Sequence, residues 1–148
     1  MTLAPVEQSI TVRSGIEHTF DVFVRRLHEW WPTHTHSLGL ERVRQVVFEE
    51  QVGGRVYEVW DDGDERTWGT VLVFDRPHRF RITWDIASGT EVDVTFRSLG
   101  PALTRVGLEH SGWERLTVDQ LAAATRRGSY HDGWAKILAL FIDAADGA

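Results

Sequence analysis

Three groups of residues in this chain of 148 are of types that could do chemistry. The first is Glu109-His110 with Asp132 downstream, an imidazole and two carboxylates of the kind that carry protons in catalysis. No nucleophile stands beside them, because the chain has no cysteine and no serine in a G-x-S-x-G elbow, the turn that exposes a hydroxyl for acyl transfer. The second is His34 and His36, with His28 nearby. A metal site needs three or four ligands in fixed geometry, and neither cysteine partners nor an H-E-x-x-H helix pair is present. That stretch therefore reads as a solvated loop, and no metal or other cofactor is expected. The third is Glu58, on a strand where Val56, Glu58 and Trp60 share one parity and Tyr57 and Val59 the other. If the Val56 face is inward, a carboxylate enters the interior and needs a partner, with Arg81, Arg105 or a ligand as candidates. If the Tyr57 face is inward, Glu58 is a surface charge.

The elements that must position these groups follow from periodicity. In residues 129–148, Tyr130, Trp134, Ile137, Leu138, Phe141 and Ala145 recur at steps of three and four, one apolar stripe of a long helix. A stripe that wide needs a broad apolar partner, and the preceding residues supply it as strands. Residues 8–13 read as a first strand. Ser14 with Glu17 is a capping-box pattern opening a helix that carries Ile16, Phe20, Phe23, Val24 and Leu27 to near Trp30, and Pro32 closes it. Residues 33–40 read as a loop. Strands follow at 43–49, 55–60, 67–74, 79–85, 91–97 and 105–111, separated by turn signals such as Gly53-Gly54, Asp61-Asp62-Gly63-Asp64 and Gly100-Pro101. Phe80, Ile82 and Trp84 share a parity, as do Val92, Val94 and Phe96, and Val106, Leu108 and His110, which argues for an antiparallel meander with one buried face. His110 thereby points inward. It is either a buried, hydrogen-bonded histidine, or a polar anchor or general acid-base at the end of a ligand cavity. Residues 118–127 start the last helix early or form a short one of their own.

Composition narrows the class. A chain of this length reads as a single domain, residues 1–148. A net charge of −6 disfavours nucleic acid and anionic membranes as partners. No segment resembles a secretory leader or membrane span, so a cytoplasmic location is expected. Seven Trp and seven Phe are more ring than an ordinary core of this size needs, and suit either a dense core or a lined pocket.

Trp30-Trp31-Pro32 with His36-Ser37, Gly53-Gly54-Arg55, Gly69-Thr70-Val71 leading through Asp75-Arg76-Pro77 to Thr83-Trp84, Leu108-Glu109-His110-Ser111-Gly112-Trp113, and Gly133-Trp134 form an ordered set. Together they resemble the homologues of the activator of the heat-shock-protein-90 ATPase, within the START-like, polyketide-cyclase-like (SRPBCC) superfamily. The resemblance covers nearly the whole chain. It implies an α+β helix-grip fold of the birch-pollen-allergen type: a curved antiparallel sheet of about six to seven strands around a long C-terminal helix, with two short helices after the first strand. It also implies a cavity between helix and sheet and, because Gly54-Arg55 precedes an inward position in the resembled pattern, an inward Glu58. The chaperone activator itself is similar only over its C-terminal domain. The reading that results is a small-molecule-binding protein holding an apolar or aromatic ligand, with Glu58, Trp60, Trp84, His110, Trp113, Trp134 and Phe141 as ligand-binding residues and no catalytic residue assigned. A cyclase- or aromatase-like enzyme on the same scaffold and a chaperone-activating interaction module are the alternatives, and pairing as a homodimer is left open.

Overall fold

A computed structural model of the chain describes residues 4–125 and 128–146. The strands are β1 Val6–Val12, β2 Val43–Phe48, β3 Arg55–Trp60, β4 Glu65–Asp75, β5 Arg79–Trp84, β6 Thr90–Gly100 and β7 Leu103–Ser111, and the helices are α1 Ile16–Val24, α2 Leu27–Trp30, α3 Val118–Ala124 and α4 Tyr130–Ala145. The strands form one antiparallel sheet in the order β1-β7-β6-β5-β4-β3-β2. It curls into a half-barrel around α4, the helix-grip arrangement.

Alternation drives the central strands. Phe80, Ile82 and Trp84 of β5, Val92, Val94 and Phe96 of β6, and Val106, Leu108 and His110 of β7 are all buried, while Arg79, Arg81, Glu91 and Asp93 between them pair in salt bridges on the outer face. In β4 the alternation changes phase. Val56 pairs with Gly69 but Tyr57 with Thr67, so Trp68 is the extra residue of a bulge, and Trp68 and Val71 both end up inward. Bulges bend a strand and re-aim its side chains. This one needs Gly69, where a Cβ would stand 1.7 Å from the Thr83 carbonyl oxygen.

Two local expectations are corrected. The helix expected from Ser14 to Trp30 is two, as the resemblance implied: the backbone N–H groups of Arg25 and Arg26 both donate to Asp21 O, and Arg26 leaves helical geometry at φ −106° and ψ 23°. The break lets the Trp30 indole turn back to donate to Val22 O at 2.8 Å. The capping box at Ser14 and Glu17 does not form. Gly15 is the N-cap, with no side-chain bond; Ser14 lies one residue before it, buried, its hydroxyl unpaired among the described residues and its carbonyl accepting the hydroxyls of Thr19 and Thr104. A capping box does form at Thr117 and Gln120, opening α3 as a separate helix. The expected ends of the last two helices, at Arg127 and Ala148, lie outside the described residues, as do Met1, Thr2 and Leu3 of the N-terminal stretch.

Ser129 accepts from the Asp132 N–H to cap α4, which buries Trp134, Ile137, Leu138, Phe141 and Ala145 while Tyr130 stays half-buried. Phe141 is fully enclosed, its ring 4.9 Å from that of Phe23 and 5.1 Å from that of Trp30. Side chains of this size stabilise by about 1.5–3 kcal/mol each when buried, so packing holds α4 in place. Phe141→Ala is expected to lose about 3–5 kcal/mol in urea denaturation, and an unchanged midpoint would show that α4 does not dock this way.

Candidate functional site

Between the sheet and α4, four indoles face one another. Trp31 follows α2, Trp68 sits on the β4 bulge, Trp84 ends β5 and Trp134 lies in the second turn of α4. Trp31 is 4.9 Å from Trp68, 6.1 Å from Trp84 and 5.8 Å from Trp134 between ring centroids, and Trp84 is 5.9 Å from Trp68 and 5.3 Å from Trp134. Phe23, Phe80 and Val56 complete the wall, and the rings leave a cavity of about 20 Å³, roughly the room of one water. In this conformation the chamber is filled by its own side chains.

One end of it is held by Glu58. The Val56 face of β3 is inward, and the Glu58 carboxylate is fully buried. Its partners are neither Arg81, which pairs with Glu91 and Asp93, nor Arg105, which reaches Thr11. Oε1 accepts from the Leu38 N–H at 2.8 Å and the Trp68 indole at 2.6 Å, and Oε2 from the Gly39 N–H at 2.7 Å and the Trp60 indole at 2.6 Å. A carboxylate is an acceptor-only group with two lone pairs on each oxygen, so four N–H donors satisfy it without a cation. The loop at 33–40 is thereby tied to the sheet. Gly39 is required at the tie, since a Cβ there would stand 2.3 Å from the Trp60 indole nitrogen. Trp60 is half-buried, with the guanidinium groups of Arg42 and Arg66 over its ring at 4.4 and 4.2 Å, favourable cation–π contacts.

The other end is held by His110 on β7, also fully buried. The Trp134 indole donates to Nδ1 at 3.0 Å, so Nδ1 carries the lone pair and Nε2 the proton. Nε2 meets the Thr90 hydroxyl at 2.7 Å, and that hydroxyl reaches the Trp84 carbonyl at 3.5 Å. Trp113 donates to the His110 carbonyl at 2.9 Å. Burial lowers the His110 pKa to about 3, so the imidazole is neutral at physiological pH.

Of the expected ligand-binding residues, Trp84 and Trp134 line the chamber. Glu58 and His110 stand behind its wall, each gripping an indole that faces into it, while Trp60 lies beyond Glu58, Trp113 beyond His110, and Phe141 against Phe23 and Trp30. The sequence reading did not single out Trp31, Trp68 or Thr90 as site residues. Trp31 was visible as half of a Trp-Trp-Pro run; Trp68 was concealed by the bulge, which no alternation pattern reports. His34 is exposed and His36 half-buried, its Nδ1 at 2.7 Å from the Thr35 hydroxyl. Among the described residues no three His, Cys, Asp or Glu side chains are grouped to hold a metal, and no helix is long and apolar enough to cross a membrane.

Glu58→Gln replaces an acceptor oxygen with a donor facing two N–H groups. It is expected to lose on the order of 3 kcal/mol or more and to expose the Leu38 and Gly39 amides to hydrogen exchange; retained protection would refute the anchor. His110 gives a pH signature. It titrates near 6.5 when unfolded and near 3 when folded. Between these values the unfolded chain binds the extra proton, so stability is complete above the upper value and falls as pH falls toward the lower. In His110→Gln the dependence of stability on pH should be shallower by about 1.4 kcal/mol per unit over that window; identical slopes would show that His110 is not buried neutral.

The family model described as activator of Hsp90 ATPase homolog 1-like protein matches residues 14–144. No curated protein matches the chain. Among solved structures it is similar to Txn09, an anthrahydroquino-gamma-pyrone synthase complexed with SUM, with 31% identity over 97% of each chain and a TM-score of 0.61. It is also similar to CalC of Micromonospora echinospora, a self-sacrificing resistance protein, with 29% identity over 95% of this chain and 92% of that one and a TM-score of 0.72. The Aha1 dimer of Colwellia psychrerythraea shares the fold, at 15% identity over 98% of each chain and a TM-score of 0.67. With the family match spanning six of the seven strands and nearly all of the helix they grip, the chain belongs to the activator of Hsp90 ATPase homolog 1-like family, within the START-like, polyketide-cyclase-like superfamily.

Proposed function

We propose that this protein binds a planar aromatic small molecule between the sheet and α4, in the chamber that its tryptophans now close. The observation that carries the reading is the set of four indoles, Trp31, Trp68, Trp84 and Trp134, gathered with centroids 4.9 to 6.1 Å apart around a residual cavity. Indole faces stack on flat rings of any substitution. The likeness to a synthase named for an anthrahydroquinone-type product supports the same ligand class.

A drug-sized ligand needs roughly 300 Å³ or more, so something must move aside. Of the four described helices only α3 buries none of its residues, and it rests on the turn at 85–87 after Trp84 through half-buried Leu121 and Ala124. Segments with few buried apolar contacts open at the lowest free energy, and α3 is the cover in this reading. Catalysis on the bound molecule is a second reading, favoured by the synthase likeness. In it His110 would position Trp134 rather than carry a proton, because both of its ring nitrogens are engaged.

The test is titration with anthracene sulfonate and anthraquinone sulfonate, followed through the nitrogen-labelled indole signals and the unfolding midpoint. Saturable shifts of Trp31, Trp68, Trp84 and Trp134, little change at Trp60, and a midpoint that rises with ligand concentration are expected. Failure of both compounds to shift any chamber indole at millimolar concentration would overturn the proposal.

A further inference from the structure

The seven indole N–H groups are not treated alike. Six have acceptors: Trp30 gives to Val22 O, Trp31 to His36 O, Trp60 and Trp68 to Glu58, Trp113 to His110 O and Trp134 to His110 Nδ1. The seventh, Trp84 Nε1, is buried with no acceptor among the described residues, in a side chain only 5% exposed. A buried donor without a partner is unfavourable, and native folds leave few of them. Here the same fold has found acceptors for six neighbours.

The exception is also rigidly held. The Trp84 carbonyl accepts from the Gly89 N–H at 3.2 Å and from the Thr90 hydroxyl at 3.5 Å. Thr90 is fixed by His110, and His110 by Trp134. The ring is bounded by Trp31, Trp68 and Trp134, so it forms part of the chamber wall. Tyr130, in the first turn of α4, brings its hydroxyl close enough to the same indole to be felt by the phenol, whose pKa burial raises and the Trp84 N–H lowers, but the contact falls short of full hydrogen-bond geometry. The Tyr130 ring is set edge-on to His110 at 5.0 Å, and its phenol, protonated at physiological pH, is able to donate.

We infer that Trp84 Nε1–H and the Tyr130 hydroxyl form an acceptor-oxygen subsite, so that the ligand is an aromatic ketone or quinone whose carbonyl oxygen takes both donors. This deepens the preceding reading and rests on it. A plain hydrocarbon of the same shape fills the chamber equally well but leaves the Trp84 N–H unpaired. Neutral donors held in place before the ligand arrives match a neutral carbonyl, and the flat ring bearing it lies against the tryptophan faces.

The experiment compares anthraquinone sulfonate with anthracene sulfonate, which differ in the two carbonyls, by calorimetry and by the labelled Trp84 indole signal. The wild-type protein is expected to prefer the quinone by roughly 5- to 100-fold, the effect of two net hydrogen bonds. The Trp84 N–H should move downfield with the quinone alone. Trp84→Phe, which keeps an aromatic wall and removes one donor, and Tyr130→Phe, which removes the other, should each reduce the preference, and the double variant should bring it to about one. If Trp84→Phe fails to fold, the wild-type indole shift and Tyr130→Phe decide the matter. Equal binding of both compounds with no downfield shift overturns the subsite while leaving the chamber reading intact; absence of binding by both overturns the two together.

Discussion

Buried N–H donors must be met, and in this protein two side-chain acceptors meet the donors that matter. Glu58 on β3 takes the indoles of Trp60 and Trp68 and two N–H groups of the loop before β2. His110 on β7 takes the indole of Trp134, and its carbonyl that of Trp113. Each side chain is fully buried, so truncating Glu58 would strand its four donors and truncating His110 the Trp134 indole, rather than merely delete a contact. The consequence is geometric: the sheet grips a chamber wall on the neighbouring β4 through one acceptor and a wall on α4 through the other. The loop at 33–40 becomes part of the sheet's polar structure in the same way, through backbone groups that no side-chain pattern advertises.

How much of this could be read from the sequence depended on whether the deciding interaction was periodic. The inward placement of Trp84 and His110 was legible because β5 and β7 alternate without interruption. The apolar stripe of α4 was legible for the same reason. Trp68 was not, because a bulge changes the phase of β4 and is specified by a close approach at Gly69, three-dimensional information that spacing does not carry. Glu58 was correctly inward, yet its partners were sought among arginines. A buried carboxylate usually suggests a cation, and a satisfying set made of two amides and two indoles exists only once a loop, β3 and β4 have come together. The Ser14 capping pattern misled because the helix begins one residue later, with Gly15 as its N-cap, and the buried Ser14 hydroxyl accepts from no N–H of the described residues.

Of the two outcomes that ring-rich composition suggested, the chamber is by volume the dense core, with flat apolar walls and acceptors set behind the rings rather than among them. Fixing Trp68 and Trp134 through their N–H groups leaves their faces to pack against the rings of Trp31 and Trp84.

A half-barrel, unlike a closed barrel, has two strand edges, and an exposed edge is a template for pairing with another chain. At one edge, β1 is tied to α4: the Gln8 side chain donates to His131 O, and the Arg13 N–H just past the strand donates to Asp146 at 2.8 Å. At the other, β2 has only six residues, shifts register between Val43 and Gln45, and exposes Arg44. Short, irregular, charged edges pair poorly. The helix that fills the barrel thus also seals one of its borders, and the protein can keep an open-sided sheet without presenting a long flat strand on which aggregates nucleate.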